Sequence, residues 1–177
     1  MKRWITSWAA LLVAAAVLLG VRLCLRGYAA QREETVFQSM LCQLLPGSTA
    51  FEREAYSGED ANITAAYKSE AGYVVETVTA GYVGDIALLT GVDNNGKVTG
   101  ILVRDMEETY GLGLRAASDG AFLSQFLQTN GGAAIGENVD AVTGATVTSK
   151  AIARGVNSAA AFVTGADVSS AATEWGG

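Results

Sequence analysis

The sequence predicts an α+β fold, an antiparallel sheet with helices packed against it, preceded by a single N-terminal transmembrane helix. Three observations carry that prediction. An uncharged run from Trp4 to Val21 gives way to ordinary mixed sequence. Between Gly72 and Val103, stretches rich in β-branched and aromatic residues alternate with turn residues. Apolar residues at helical spacing lie on both sides of those stretches.

The first element is the apolar run. As a helix, Trp4 to Val21 is about 27 Å long, close to the thickness of a hydrocarbon core. Trp4, Trp8 and Tyr28 suit the two interfaces. A cleaved signal peptide is the plainer alternative, but no small-x-small site precedes Arg22. Lys2 and Arg3 before the span are balanced by Arg22, Arg26 and Arg32 after it, so charge leaves the orientation open. The expected organisation is an anchor over 1–28, an amphipathic juxtamembrane helix over 29–48 and a globular domain over 49–177.

In the juxtamembrane segment, Val36, Phe37, Met40, Leu41, Leu44 and Leu45 have helical spacing, and Pro46 and Gly47 end it. Residues 50–62 read as loop with a short strand. Gly72 to Thr79, Asp85 to Val92 and Lys97 to Val103 read as strands, a meander of at least three. Asp93, Asn94, Asn95 and Gly96 form the hairpin turn between the last two, since Asn and Gly accept positive φ. Ser118 to Gln128 reads as a helix capped by Ser118 or Asp119, with Phe122, Leu123, Phe126 and Leu127 buried. A last helix is expected from about Thr148 to Thr164. Its small residues, Gly155 among them, allow close approach to a sheet.

Composition narrows the chemistry. The 177 residues carry a formal net charge of -6, which gives a polyanion no purchase, so nucleic acid is excluded as a partner. There is no histidine. That removes His-ligated haem, His-containing zinc sites and Ser-His or Cys-His nucleophile pairs. Two cysteines, Cys24 and Cys42, are too few for an all-cysteine iron–sulfur cluster, and a disulfide between them is not indicated. No catalytic residue and no metal site emerges. An electron carrier of this composition needs a cofactor independent of His and Cys, and a flavin meets that condition.

Two segments carry chemistry. Asp140 to Ser149 enters the last helix with Thr143, Thr146, Thr148 and Ser149, while Gly144 and Ala145 keep the turn uncrowded. A helix N-terminus offers free N–H groups and the positive end of its dipole, so a phosphate on Thr146 would be neutralised there. The hydroxyls of Thr143, Thr148 and Ser149 can add hydrogen bonds, and Lys150 can add charge. The plainer alternative is a Thr-Gly turn followed by a helix capped by Thr148 or Ser149. The second segment, Glu107 to Gly113, follows the last strand. Gly111 and Gly113 flank Leu112 and let backbone approach a flat ligand, and Glu108 and Thr109 can bond its polar edge. Its plainer alternative is a loop with two flexible glycines.

Together these segments resemble the FMN-binding domain family, which includes the G subunit of the Rnf electron-transport complex and the C subunit of the sodium-pumping NADH:quinone reductase. Asp140, Ala141, Val142, Thr143, Gly144, Ala145 and Thr146, continued by Val147 and Thr148, resemble the flavin-attachment motif. Glu108, Thr109, Gly111, Leu112 and Gly113 resemble the loop that approaches the flavin, with Tyr110 where the family has proline. Gly81 to Asp85 and the Asn-Gly hairpin fit the central strands. The resemblance implies covalent FMN on Thr146 through a phosphoester, with the remaining motif positions around it. It implies attachment by a flavin transferase of the ApbE type, and a soluble domain outside the cytoplasm, held on the cell (inner) membrane. It implies an electron-relay subunit working with other membrane subunits of an ion-translocating complex (Rnf type, ferredoxin to NAD). The short chain and single span favour the Rnf G type. The alternatives are a stand-alone membrane-anchored flavoprotein for extracytoplasmic electron transfer and a cofactor-free anchored interaction domain.

Overall fold

The computed structural model describes residues 18–22, 31–106 and 113–165, and the chain divides into two compact units, Met1–Ser39 and Met40–Gly177. In the first unit residues 18–22 are helical, with Leu18, Leu19 and Val21 exposed. The rest of the expected span, Cys24 and the loop 107–112 lie outside the described residues. Among the described residues no helix is long and apolar enough to cross a membrane.

Residues 31–44 form α1, which ends where Pro46 and Gly47, the latter at φ +94°, turn the chain. The apolar stripe read from the sequence is only partly used. Leu41, Leu44 and Leu45 are buried within the second unit, whereas Val36 and Met40 stay exposed.

The second unit is built on a five-stranded antiparallel meander in the order β1-β2-β3-β4-β5. Its strands are β1 Glu52–Glu54, β2 Ile63–Ser69, β3 Gly72–Ala80, β4 Asp85–Asp93 and β5 Val98–Met106. The three strands expected from composition are present, β1 is the short strand expected within residues 50–62, and β2 is one more. At the β4–β5 turn Asp93 Oδ1 accepts the N–H groups of Asn95 (2.8 Å) and Lys97 (2.9 Å). Gly96 alone in that turn takes positive φ, +79°. Burial raises the Asp93 carboxyl pKa, but those hydrogen bonds, the Asn95 side chain and the Lys97 charge outweigh it and hold the group below its ordinary 3.8.

α4, Thr146–Thr164, packs on one face of β3 and β4. Gly155 makes the approach possible. A Cβ there would meet Leu88 Cδ1 at 2.6 Å and Thr77 Oγ1 at 2.8 Å. Ile86 and Leu88 from β4 join Ala151, Ile152, Ala153 and Val156 from α4 in the main core. At the far end of α4, Phe162 packs edge-on against Tyr56 and Tyr73, with ring centroids 5.8 and 5.4 Å away.

Alternation along β4 turns Leu89 and Gly91 to the opposite face. There Gly91 and Gly100 are cross-strand partners, and both face Leu44 of α1. A Cβ at Gly91 would collide with the Leu44 carbonyl oxygen. That oxygen accepts a hydrogen bond from Thr99 Oγ1 at 2.6 Å. The same face carries the Arg104–Glu76 ion pair and the Tyr67 hydroxyl, 3.4 Å from Glu76 Oε2.

Between β5 and α4 the structure corrects the sequence reading. The helix expected over Ser118 to Gln128 is shorter, α3 Gly120–Ser124, and a separate short helix that the sequence pattern did not show, α2 Gly113–Ser118, precedes it. The expected cap explains the break. Asp119 Oδ1 accepts the N–H groups of Ala121 (2.9 Å) and Phe122 (3.2 Å), so the helix must restart there. The chain then turns at Gln128, whose φ is +63°, and pairs with the start of β5 through Gln128 N–H to Val98 O and Val98 N–H to Thr129 O. Phe122 and Phe126 are buried, but Leu127 is exposed. The chain beyond is pinned to α4 by Asn157, whose amide both accepts from and donates to the Ala133 backbone at 2.9 Å.

Candidate functional site

α4 begins at Thr146, two residues earlier than its pattern suggested, and that shift decides the chemistry of the site. Ala145 is the N-cap residue and, having no polar side chain, makes no cap hydrogen bond. The cap by Thr148 or Ser149, the plainer alternative, is therefore absent, because both lie inside the helix. The N–H of Ser149 closes the first helical bond, to Ala145 O at 2.8 Å. Among the described residues the N–H groups of Thr146, Val147 and Thr148 have no acceptor. They are the donors that a helix start leaves open to an anion.

The preceding turn aims Thr146 outward. Gly144 has φ +82°, a conformation that side chains disfavour, so glycine is required there. Ala145 N–H bonds to Val142 O at 2.9 Å and tightens the turn. The Ser149 hydroxyl is fully buried beneath it, accepting from Val142 N–H (3.2 Å) and donating to Ala145 O (2.8 Å). Ser149 thus holds the turn in shape. Its hydroxyl is committed to backbone and does not face a phosphate, which corrects the sequence expectation. Thr148 is also buried, at 2% exposure. Thr143, Gly144 and Thr146 are exposed, and Val147 is half-buried. Asp140 is exposed and is anchored by its backbone, which exchanges hydrogen bonds with the Gln125 side chain at 2.8 and 3.3 Å.

The turn before Thr146 lies at a definite end of the sheet. Thr79 Oγ1 donates to Ala151 O at 3.0 Å, which ties the first turns of α4 to the end of β3. Thr79 pairs with Ile86, and Ile86 pairs with Met106 at the end of β5. The turn at 81–84, closed by Gly81 N–H to Gly84 O at 2.8 Å, therefore sits at the same end. The described chain stops at Met106 there and resumes at buried Gly113, in α2, which packs on β5 and α4. Gly113 is thus the described member of the second segment. Glu108, Thr109, Gly111 and Leu112 lie outside the described residues.

The residues present fit a flavin phosphate. An exposed hydroxyl stands at the first position of a 19-residue helix whose opening donors are unused. Lys150 follows one turn later. Nε of Arg154, another turn on, is buried without a hydrogen-bond partner. Among the described residues no group of His, Cys, Asp and Glu could hold a metal ion. The sequence reading did not identify Thr79 or Arg154. A threonine inside a strand and an arginine on a helix give no local signal until the two elements meet.

Comparison with known proteins agrees with this geometry. Residues 81–161 match the FMN-binding domain, from the 81–84 turn through most of α4. The chain is 39% identical over 97 residues to the G subunit of the Na(+)-translocating ferredoxin:NAD(+) oxidoreductase complex of Acetobacterium woodii, covering 49% of this chain and 46% of that protein. It is 36% identical over 120 residues to the G subunit of the proton-translocating ferredoxin:NAD(+) oxidoreductase complex of Clostridium ljungdahlii, covering 64% of this chain and 61% of that protein. It thus spans less than two thirds of either relative. The open helix start and the exposed threonine fall within one stretch of sequence, residues 81–161, that is similar to the FMN-binding domain.

Proposed function

We propose that the chain is an electron-relay subunit of an ion-translocating ferredoxin:NAD+ oxidoreductase complex, with FMN esterified to Thr146. The observation that carries the reading is the exposed Thr146 hydroxyl at the start of α4, beside three N–H groups without acceptors. Likeness to two G subunits supports the assignment to such a complex. Sodium is named for one relative and protons for the other, so the proposal extends to ion translocation and not to a particular ion.

Attachment is a phosphoryl transfer from FAD, catalysed by a separate transferase of the ApbE type. A bond forms between Thr146 Oγ and the FMN phosphorus. The pyrophosphate bond of FAD breaks, AMP leaves, and the hydroxyl proton is lost to a base of the transferase. The chain's part is to present the hydroxyl and stabilise the product. Gly144 and Ser149 shape the turn, and the open N–H groups of α4 receive the phosphodiester charge. When bound, FMN supplies electron transfer in one- or two-electron steps. Thr146 is an attachment point and takes no part in turnover. The ester removes dissociation, which suits a domain outside the cytoplasm with no reserve of free FMN. The proposal includes that location, with Trp4 to Val21 as the anchor.

Intact-mass measurement of full-length protein from its own host tests the assignment. The expected mass is that of the chain plus one FMN less one water, lost in Thr146→Ala and kept in Thr146→Ser. An unmodified wild-type mass would overturn the flavin-carrier reading.

A further inference from the structure

α4 is buried on nearly every side. From Thr148 to Ala160 every residue is buried except Lys150 and Arg154. These two follow Thr146 at successive intervals of four residues, each about 6 Å further along the helix. The solvent-facing line of α4 is therefore a hydroxyl followed by two cations.

The ordinary reading of such a line is a solvated helix face, and for half-buried Lys150 alone it would suffice. Arg154 does not fit it. Its Nε is shut away from water and has no hydrogen-bond partner, and among the described residues neither cation forms an ion pair. An arginine cannot shed its charge to relieve burial, so a half-buried guanidinium with its Nε–H shut in and unpartnered favours an anion beside it. One candidate lies within the chain. Asp60 has a buried, unpartnered Oδ2, and its Oδ1 accepts from Asn62, which reaches Ser158 one turn beyond Arg154. Yet the Asp60–Arg154 pair is not formed.

We propose that Lys150 and Arg154 are flavin contacts: FMN on Thr146 runs along the exposed line of α4, with Lys150 beside its phosphodiester and Arg154 beside the N1–C2 carbonyl edge of the ring. This rests on the covalent reading above. From Thr146 to Arg154 the helix rises about 12 Å. The phosphate, an extended ribityl chain and the near part of the ring together span a comparable distance and would set the pyrimidine end of the ring near the guanidinium. On reduction that edge takes up negative charge, which a fixed cation stabilises in a partly desolvated site. Arg154 therefore holds the midpoint potential up, against the acidic balance of the domain.

The test uses full-length protein produced with its flavin transferase, titrated spectrophotometrically against redox dyes. Arg154→Gln should still show the flavin adduct by mass but hold about tenfold less reduced flavin at a given potential, a fall of about 30 mV for a two-electron couple. Arg154→Lys should recover most of the loss. Lys150→Gln, at a half-exposed position, should lower the yield of covalent flavin several-fold at limiting transferase. Arg154→Gln with intact adduct and unchanged potential would overturn the proposal. So would loss of stability in unflavinylated protein without a change of potential, which would mark Arg154 as a partner for Asp60. Wild-type protein without adduct would overturn the attachment itself, a separate result.

Discussion

At the scale of single residues, the turn that presents Thr146 depends on a side chain buried beneath it. Ser149 Oγ satisfies the N–H of Val142 and closes on Ala145 O, both buried contacts. In Ser149→Ala the Val142 N–H is left unpaired, at a cost of about 1–3 kcal/mol. The expected outcome is a lower urea midpoint together with slower flavin attachment, read as the rate of mass gain with FAD and transferase. Unchanged stability would remove Ser149 from the turn's support. Thr146, Thr143 and Gly144 were legible in the sequence because hydroxyl and glycine spacing before a helix is a local pattern. The role of Ser149 was misread for the same reason. Composition places its hydroxyl near a phosphate, and only the early helix start turns it inward.

At the scale of elements, the strands and α4 were readable because each has a strong period and clear stops. The start of α3 and its Asp119 cap were readable too, but its early end at Ser124 and the six-residue α2 were not, since so short a helix carries no full period. The end of α4 follows rule: Gly165, at φ +66°, donates its N–H to Ala161 O at 2.8 Å. The distance between α4 and the sheet is set by Gly155. In Gly155→Ala, about 1 kcal/mol of helix propensity is gained, against about 1–3 kcal/mol of crowding on Leu88 and Thr77. The net loss should be at most about 2 kcal/mol. Gly155→Val, which adds branching at the same contact, should lose more. Denaturation midpoints of the two variants check the order, and a more stable Gly155→Val would show that the helix can lift at no cost.

At the scale of the whole molecule, stability should carry an acid limb from the β4–β5 hairpin. The folded pKa of Asp93 lies below its ordinary value of 3.8. Its contribution is therefore complete above the unfolded pKa and is lost as pH falls through the lower folded one. Asp93→Asn should flatten that limb, seen as a smaller drop in urea midpoint from about pH 6 to about pH 3. An unchanged slope would move the effect to other carboxylates. What no local pattern could convey was how remote segments converge: Thr79 on Ala151, Met106 beside Ile86, and Leu44 seated between Gly91 and Gly100. The last of these has a mechanical consequence. The chain from α1 grips the sheet across β4 and the edge strand β5, so a load at Leu44 is shared between a strand with ladders on both sides and one with a ladder on a single side. Strain arriving at Leu44 would travel along β4 and β5 to their other ends, the rim that holds the 81–84 turn and Met106.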